Sequence, residues 1–127
     1  MMRDARTLIN ALRDPASVET LDSNQWTELI SIARAESLIG SLAHRVENVP
    51  VPNRVRAVLQ DAIEAHDLGR QQALWEADCA LRALAEYPGK IVLMKGTAYV
   101  AANLDAGVGR SIGDLDIMVA REDLPVV

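Results

Sequence analysis

The chain has 127 residues, of which 50% are hydrophobic, so it is long enough for one modest domain with a core. Aromatic residues make up 3% and phenylalanine is absent, so the core must consist of Leu, Ile, Val and Ala, a composition that favours helices. The net charge of -5 argues against nucleic acid as the main partner, because neutralising a phosphate backbone requires a basic surface.

The sequence indicates an ordinary reducing compartment. Cys79 is the only cysteine, so no intrachain disulfide can form. The amino-terminal residues carry charges throughout and lack the apolar core of a signal peptide. No apolar run approaches the roughly 20 residues that a membrane span requires. We therefore predict a cytoplasmic protein with no membrane partner.

Three helices are predicted in the first two thirds of the chain. Apolar residues at helical spacing predict the first over residues 4–13, where Pro15 ends it. The second starts at cap residues at positions 22–24 and continues as one amphipathic helix to residue 42. Two prolines then break the helical pattern. The third helix is predicted over residues 53–86, with Gly69 as a weak point.

The pattern changes after Gly89. The apolar run at residues 91–94 predicts a buried strand, residues 97–104 a short helix, and residues 115–120 a second strand. Gly107 and Gly109 indicate a turn between them, and residues 121–124 could open a further helix. The predicted fold class is α+β, with a helical region over residues 1–88 and an α/β core with a short mixed β-sheet over residues 89–127.

Two carboxylates stand at the start of the second predicted strand. Side chains alternate along a strand, so Asp114 and Asp116 are predicted to share one face while Leu115 and Ile117 face the other. Such a pair can hold a divalent cation, and Mg²⁺ accepts one or two carboxylates with water and phosphate oxygens. The alternative is a solvated strand entrance or a turn capped by Asp.

A second cluster follows the first strand. Lys95, Gly96 and Thr97 are predicted to form a turn between that strand and the next helix. Glycine allows close approach of a ligand to the backbone, and a helix amino terminus attracts phosphate. Thr97 adds a hydroxyl, and Lys95 or Arg110 adds a positive charge. Arg110 is equally consistent with an exposed loop residue. We predict a phosphate site and a metal site beside one cleft.

The order of these motifs along the chain resembles that of a known family. A strand followed by "KGT", a helix, an arginine and "GDLDIMV" resembles the DNA polymerase β-like nucleotidyltransferase superfamily, and looks closest to its uncharacterised bacterial branch with a "KG…R…DxDxxV" signature. The resemblance covers residues 91–119. It implies that a nucleoside triphosphate binds with Mg²⁺ (or Mn²⁺), that an unknown acceptor attacks the α-phosphorus, and that pyrophosphate leaves.

The resemblance also implies roles for individual residues. It assigns Asp114 and Asp116 as catalytic metal ligands. It assigns the nucleotide-binding turn to Gly96 and Thr97. Lys95 and Arg110 match the signature of the branch, and their nucleotide-binding role as phosphate contacts is inferred from their charge and position. Thr97 stands where the family has Gly or Ser, which keeps a hydroxyl.

One departure from the family concerns a third carboxylate, which the family places on a strand after the Asp-x-Asp strand. Glu122 and Asp123 follow too closely to return on a neighbouring strand. We therefore expect a fragment of a longer domain or an inactive relative, and slow or no nucleotide transfer by this chain alone. The alternative function is an inactive nucleotide-binding or protein-interaction module. Because two strands alone form a marginal sheet, we expect self-association into a homo-oligomer or coverage by the long helix.

The remaining conspicuous side chains are predicted to be structural. His44 and His66 are far apart in the sequence and have no adjacent ligand residues, so structural roles are favoured over zinc binding. Cys79, Trp26 and Trp75 lie at helical core spacing and are predicted to pack in the core.

Overall fold

The computed structural model describes residues 4–127, which divide into two compact units. The first unit contains the described residues up to His66 and the segment Val108–Ser111. The second contains Asp67–Gly107 and Ile112–Val127. One long helix, α4 (Asn53–Ala83), continues from the first unit into the second. The domain boundary that the sequence places after residue 88 stays a prediction.

The first unit is helical. Its helices are α1 (Arg6–Arg13), α2 (Ser23–Ala35), α3 (Ile39–Arg45) and the first part of α4, and a 3-10 helix links α1 to α2. The predicted cap of the second helix is confirmed as a reciprocal pair of hydrogen bonds. The Gln25 backbone N–H donates to Asp22 Oδ1 and the Asp22 N–H donates to Gln25 Oε1, both at 2.8 Å. Two backbone donors that the helix leaves unpaired are thereby satisfied.

The prediction of a single helix over residues 22–42 is wrong, because the chain turns between α2 and α3. Ser37 has a φ of 58°, in the left-handed region. The Ser37 N–H donates to the Arg34 carbonyl at 3.1 Å and the Leu38 N–H to the Ala33 carbonyl at 2.7 Å. This pair of bonds is the Schellman termination, which glycine usually forms. Serine at this position gave no sequence signal for a helix end.

The core of the first unit consists of aliphatic side chains and one tryptophan. Trp26 is 2% exposed, which confirms its predicted packing. Helix α4 contributes Leu59, which is fully buried. The buried cluster comprises Leu8, Ala11, Val18, Trp26, Leu29, Ile32, Ala33, Leu42, Ala43, Val46, Val55 and Leu59. Its members come from all four helices and the 3-10 segment, so this core holds the helices of the unit together.

The second unit combines helices with a small sheet, and the predicted α+β class is confirmed. Helix α4 continues through Gly69 without interruption and ends at Ala83, three residues before the predicted end. Strand β1 (Val92–Met94) is followed by α5 (Lys95–Ala101), and later by β2 (Asp116–Met118). Two 3-10 helices complete the unit, at Asp105–Gly107 and at Arg121–Val126.

The two strands pair antiparallel, with Val92 opposite Met118, Leu93 opposite Ile117 and Met94 opposite Asp116. Both strands are three residues long. Among the described residues they form one two-stranded sheet, which is antiparallel rather than mixed. The expectation that the first strand is buried is wrong, because Val92 is 46% and Met94 is 36% exposed. A two-stranded sheet has few neighbours to cover its faces.

Two predicted core residues of α4 are also more exposed than expected. Trp75 is 65% exposed, so its predicted packing is wrong. Cys79 is half-buried rather than part of a core. Ala73 and Ala77 are the buried residues of this stretch, which places the inward face of the helix along them. The apolar pattern of the helix was therefore broader than the face that it buries.

Candidate functional site

The site is built on the β1–β2 pair. The register places Asp116 opposite Met94, the last residue of β1, and Lys95 follows directly. The Lys95 ammonium Nζ lies 3.2 Å from Asp116 Oδ2. Thus a cation and a carboxylate that are 21 residues apart in the sequence meet at one end of the sheet. The sequence singled out both residues, but it gave no indication that they form an ion pair.

Asp116 lies on the more exposed face of the β1–β2 sheet. Residues directly opposite each other in a sheet share a face, so Asp116 lies on the same side as Val92, Met94 and Met118. These three apolar side chains are 46%, 36% and 52% exposed. The opposite face carries Leu93 and Ile117, which are both half-buried. The Asp116 side chain is itself 43% exposed, so a ligand can reach its carboxylate.

The ion pair contributes little to the stability of the fold. The Lys95 side chain is 65% exposed, and water screens a pair this open. Such surface pairs contribute about 0–1 kcal/mol. The stability of the fold therefore depends little on either residue of the pair. It places opposite charges where a phosphate and a metal ion, respectively, would each find a partner.

Asp114 lies two residues before β2 and is exposed. Strand β2 begins at Asp116, one residue after the predicted start, and Asp114 belongs to the connection before the strand. The strand alternation therefore does not fix the direction of the Asp114 side chain.

The predicted Lys-Gly-Thr turn is the first turn of helix α5. Lys95 has a φ of 56°, so the left-handed residue at this junction is the lysine. Gly96 and Thr97 follow it inside the helix, and both are buried, Thr97 with 1% exposure. The helix starts two residues earlier than predicted and ends at Ala101, and Asn103 just beyond it has a φ of 55°. Its termination uses the Leu104 N–H, which donates to the Tyr99 carbonyl at 2.9 Å.

Arg110 belongs to the segment Val108–Ser111 of the first unit, whereas the other predicted site residues belong to the second. Its side chain is exposed. Its predicted contact with phosphate stays a prediction.

The two carboxylates of the candidate site are not part of a larger cluster of ligand residues. Within residues 4–127, Asp114 and Asp116 do not join a third His, Cys, Asp or Glu in a group whose ligand atoms all lie within 4.8 Å of one another. Among the same residues, no helix has the length and apolar character needed to cross a bilayer.

Comparison with known families decides what kind of protein carries this site. The model of a family described as "Uncharacterised nucleotidyltransferase" matches residues 22–127, which is most of the chain. The chain belongs to this family. No curated protein and no solved structure matches it. The matched region begins at the cap of α2, so family membership extends over helices as well as over the strands that carry the motif.

Membership confirms the resemblance read from the sequence, and it supports a nucleotidyltransferase-type function with a nucleotide as substrate. Nucleotidyltransferases generally use divalent metal ions. The donors at the β1–β2 end fit such an ion, since carboxylate oxygens are hard ligands of the kind that Mg²⁺ prefers. The partial exposure of Asp116 leaves space for the water and phosphate oxygens that complete the shell of Mg²⁺.

Sequence reasoning missed a contact in this member of the family between the segment that follows α4 and the last 3-10 helix. The Tyr87 hydroxyl donates to Asp123 Oδ2 at 2.6 Å, which identifies a structural role for Asp123. The hydrogen bond to Asp123, together with partial burial and the nearby negative charges, raises the pKa of Tyr87 above its usual 10.0. A raised phenol pKa means that the folded state favours the protonated form.

The first testable prediction follows from this hydrogen bond. Its contribution to stability is fully present below pH 10.0 and is lost as the pH rises through the raised pKa of folded Tyr87. The chain has two tyrosines, so a Tyr99→Phe background leaves Tyr87 as the only one. In that background, Asp123→Ala should lower the midpoint of the tyrosinate absorbance titration. A midpoint that does not move would show that Asp123 does not hold the Tyr87 proton.

Proposed function

We propose that this chain serves the transfer of a nucleoside monophosphate from a metal-bound nucleoside triphosphate to an acceptor. Transfer by the chain alone is expected to be slow or absent, because within residues 4–127 no third carboxylate joins Asp114 and Asp116. The observation that carries the proposal is the ion pair at one end of the β1–β2 sheet, where Lys95 Nζ lies 3.2 Å from Asp116 Oδ2, in a chain of the nucleotidyltransferase family. The acceptor and the preferred base are not specified by these residues.

The metal ligands in this proposal are Asp114 and Asp116. Asp116 is fixed by the strand, and Asp114 is exposed and close to it in the chain. Mg²⁺ or Mn²⁺, when bound, neutralises charge on the phosphates during transfer. The ammonium of Lys95 must share the Asp116 carboxylate with that ion or turn to a phosphate oxygen. Its long, exposed and flexible side chain allows either.

The phosphates are proposed to lie against the strand–helix junction. Lys95 supplies a positive charge there, and the absence of a side chain at Gly96 lets the backbone come close to a ligand. Thr97 is buried beneath this junction, so its contribution to phosphate binding would be through the position of the backbone. Arg110 is the further proposed phosphate contact.

The reaction itself requires little covalent chemistry from the protein. An oxygen or other nucleophile of the acceptor forms a bond to the α-phosphorus while the bond to the bridging oxygen of pyrophosphate breaks. The acceptor loses a proton, and pyrophosphate leaves with the electron pair of the broken bond. The side chains of the chain contribute positioning and charge neutralisation, through Lys95 and the two carboxylates.

One observation favours a second candidate function, an inactive nucleotide-binding or protein-interaction module. The more exposed face of the β1–β2 sheet carries Val92, Met94 and Met118 beside Asp116. Exposed apolar side chains that are grouped together mark surfaces that bind other molecules. In this function a nucleotide or a protein would bind at the same face without nucleotide transfer. Self-association of the chain, or coverage of the sheet by the long helix, stays a prediction.

The second testable prediction separates binding from catalysis. Calorimetry with Mg²⁺ and each nucleoside triphosphate should show metal-dependent binding, and Asp116→Asn should weaken it on the order of tenfold or more, because a charged ligand is lost. The matched control is Asp78→Asn, which neutralises another exposed, ion-paired aspartate, 2.7 Å from Arg82. Its binding should equal that of the original chain.

Three outcomes distinguish the functions. Equal binding by the Asp116→Asn and Asp78→Asn variants would remove Asp116 from the site. Metal-dependent binding with pyrophosphate release and a labelled product, both lost in Asp116→Asn, would support the transferase. Metal-dependent binding without either product, in the presence of a cell extract as acceptor source, would support the inactive module.

A further inference from the structure

Two glycines of the first unit bring distant backbone segments into direct contact. Gly40 lies in α3 and Gly109 in the segment Val108–Ser111, and both are buried. A methyl group added to Gly40 would lie under 3.0 Å from the Gly109 carbonyl oxygen, and one added to Gly109 would overlap the backbone of Gly40 and Ser41. Gly109 has a φ of 72°, in the left-handed region. The contact therefore requires glycine on both sides.

Two histidines bind the backbone of these same two glycines. His44 Nδ1 lies 2.8 Å from the Gly40 carbonyl oxygen, and the Gly109 backbone N–H donates to His66 Nε2 at 3.2 Å. The two imidazole rings are in edge contact, with centroids 5.1 Å apart and planes at 86°. The expectation that these histidines have no partner near them is wrong, because α3 and α4 bring them together in the first unit.

The partners define where the protons are. A carbonyl oxygen accepts only, so His44 must carry a proton on Nδ1. A backbone N–H donates only, so His66 Nε2 must present its lone pair, and the His66 proton must then be on Nδ1. Protonation of His66 adds a hydrogen to Nε2, so two N–H donors would face each other and the hydrogen bond from the Gly109 N–H would be lost. His44 keeps its bond to Gly40 in either protonation state.

We propose that His66 and Gly109 form an acid-sensitive latch, which holds the segment Val108–Ser111 on α3 and α4 while His66 is neutral. The charged and titratable neighbours are His44 on α3, Asp67 next to His66 on α4, and Arg110 next to Gly109 on the segment itself. A second imidazolium at His44 would oppose protonation of His66, and the Asp67 carboxylate would favour it. Protonation opens the latch because it removes the acceptor.

The latch is tested by amide hydrogen exchange of the whole chain at about pH 7.5 and about pH 5.5, a range that includes the ordinary titration of histidine. After correction for the intrinsic pH dependence of exchange, protection of the Gly109 amide should fall by about tenfold for each pH unit below the midpoint at which His66 is protonated. The Leu42 amide, which donates to the Leu38 carbonyl at 2.9 Å, reports global unfolding and should keep its protection.

His66→Gln is the variant that isolates the titration. Glutamine offers an acceptor oxygen that does not titrate in this range, so protection of Gly109 should be independent of pH in the variant. Wild-type protection of Gly109 that stays constant relative to Leu42 would overturn the latch. So would a ¹⁵N spectrum of the original chain with the neutral His66 proton on Nε2. That measurement decides the question even if the variant does not fold.

Discussion

Gly109→Ala is expected to lower the free energy of unfolding by roughly 2–5 kcal/mol, because two costs add. An alanine held in the left-handed region at a φ of 72° costs about 1–2 kcal/mol. Its methyl group would also overlap the backbone of Gly40 and Ser41, and relief of such overpacking costs about 1–3 kcal/mol. The sum is a large part of the roughly 5–15 kcal/mol that stabilises an ordinary domain.

Chemical denaturation followed by circular dichroism measures this effect. Gly113→Ala is the matched control, since a methyl group at Gly113 would have nothing within 4 Å. Its free energy of unfolding should stay within about 0.5 kcal/mol of the original. If Gly109→Ala and Gly113→Ala unfold at the same denaturant concentration, the close contact of Gly40 with Gly109 is not part of the stable fold.

Leu59→Ala is expected to destabilise the chain by about 2–5 kcal/mol. Leu59 is fully buried and belongs to the cluster that joins α4 to the other helices of the first unit. Truncation removes apolar contacts and leaves a cavity that the surrounding helices can fill only in part.

The control for Leu59 lies on the same helix. Leu68 is 67% exposed, so Leu68→Ala should change the free energy of unfolding by no more than about 0.5 kcal/mol. Both changes replace leucine by the best helix former, so helix propensity does not distinguish them. Equal midpoints of denaturation for the two variants would contradict the placement of Leu59 in the core.

The helices were predictable because each carries its own local signals. The spacing of apolar residues located α1 and α4, and the Asp22 cap located the start of α2. The end of α2 was not predictable, since its left-handed residue is Ser37 and serine has no special freedom there. In the same way, Trp75 fits the apolar repeat of α4, but burial depends on what packs against the helix, which the repeat does not encode.

The sequence located the elements that carry the candidate site but not their geometry. The residue types around Asp116 and Lys95 predicted a metal and a phosphate, and the structure places Asp116 at the start of β2 and Lys95 directly after β1. The ion pair depends on the register of β1 against β2. Between these strands lie 21 residues that include a helix, so no short hairpin turn fixes that register. The bond between Tyr87 and Asp123 was missed for the same reason, since its partners are 36 residues apart.

The unequal burial of the two tryptophans determines what an optical experiment on this chain can detect. Trp26 is 2% exposed and belongs to the first unit, whereas Trp75 is 65% exposed and belongs to the second. Unfolding moves the Trp26 indole from an apolar environment into water and changes the environment of Trp75 little. Intrinsic fluorescence therefore follows the unfolding of the first unit, where Gly109 and Leu59 lie. It changes little when the second unit unfolds. A difference between fluorescence and circular dichroism midpoints would show that the two units unfold in separate steps.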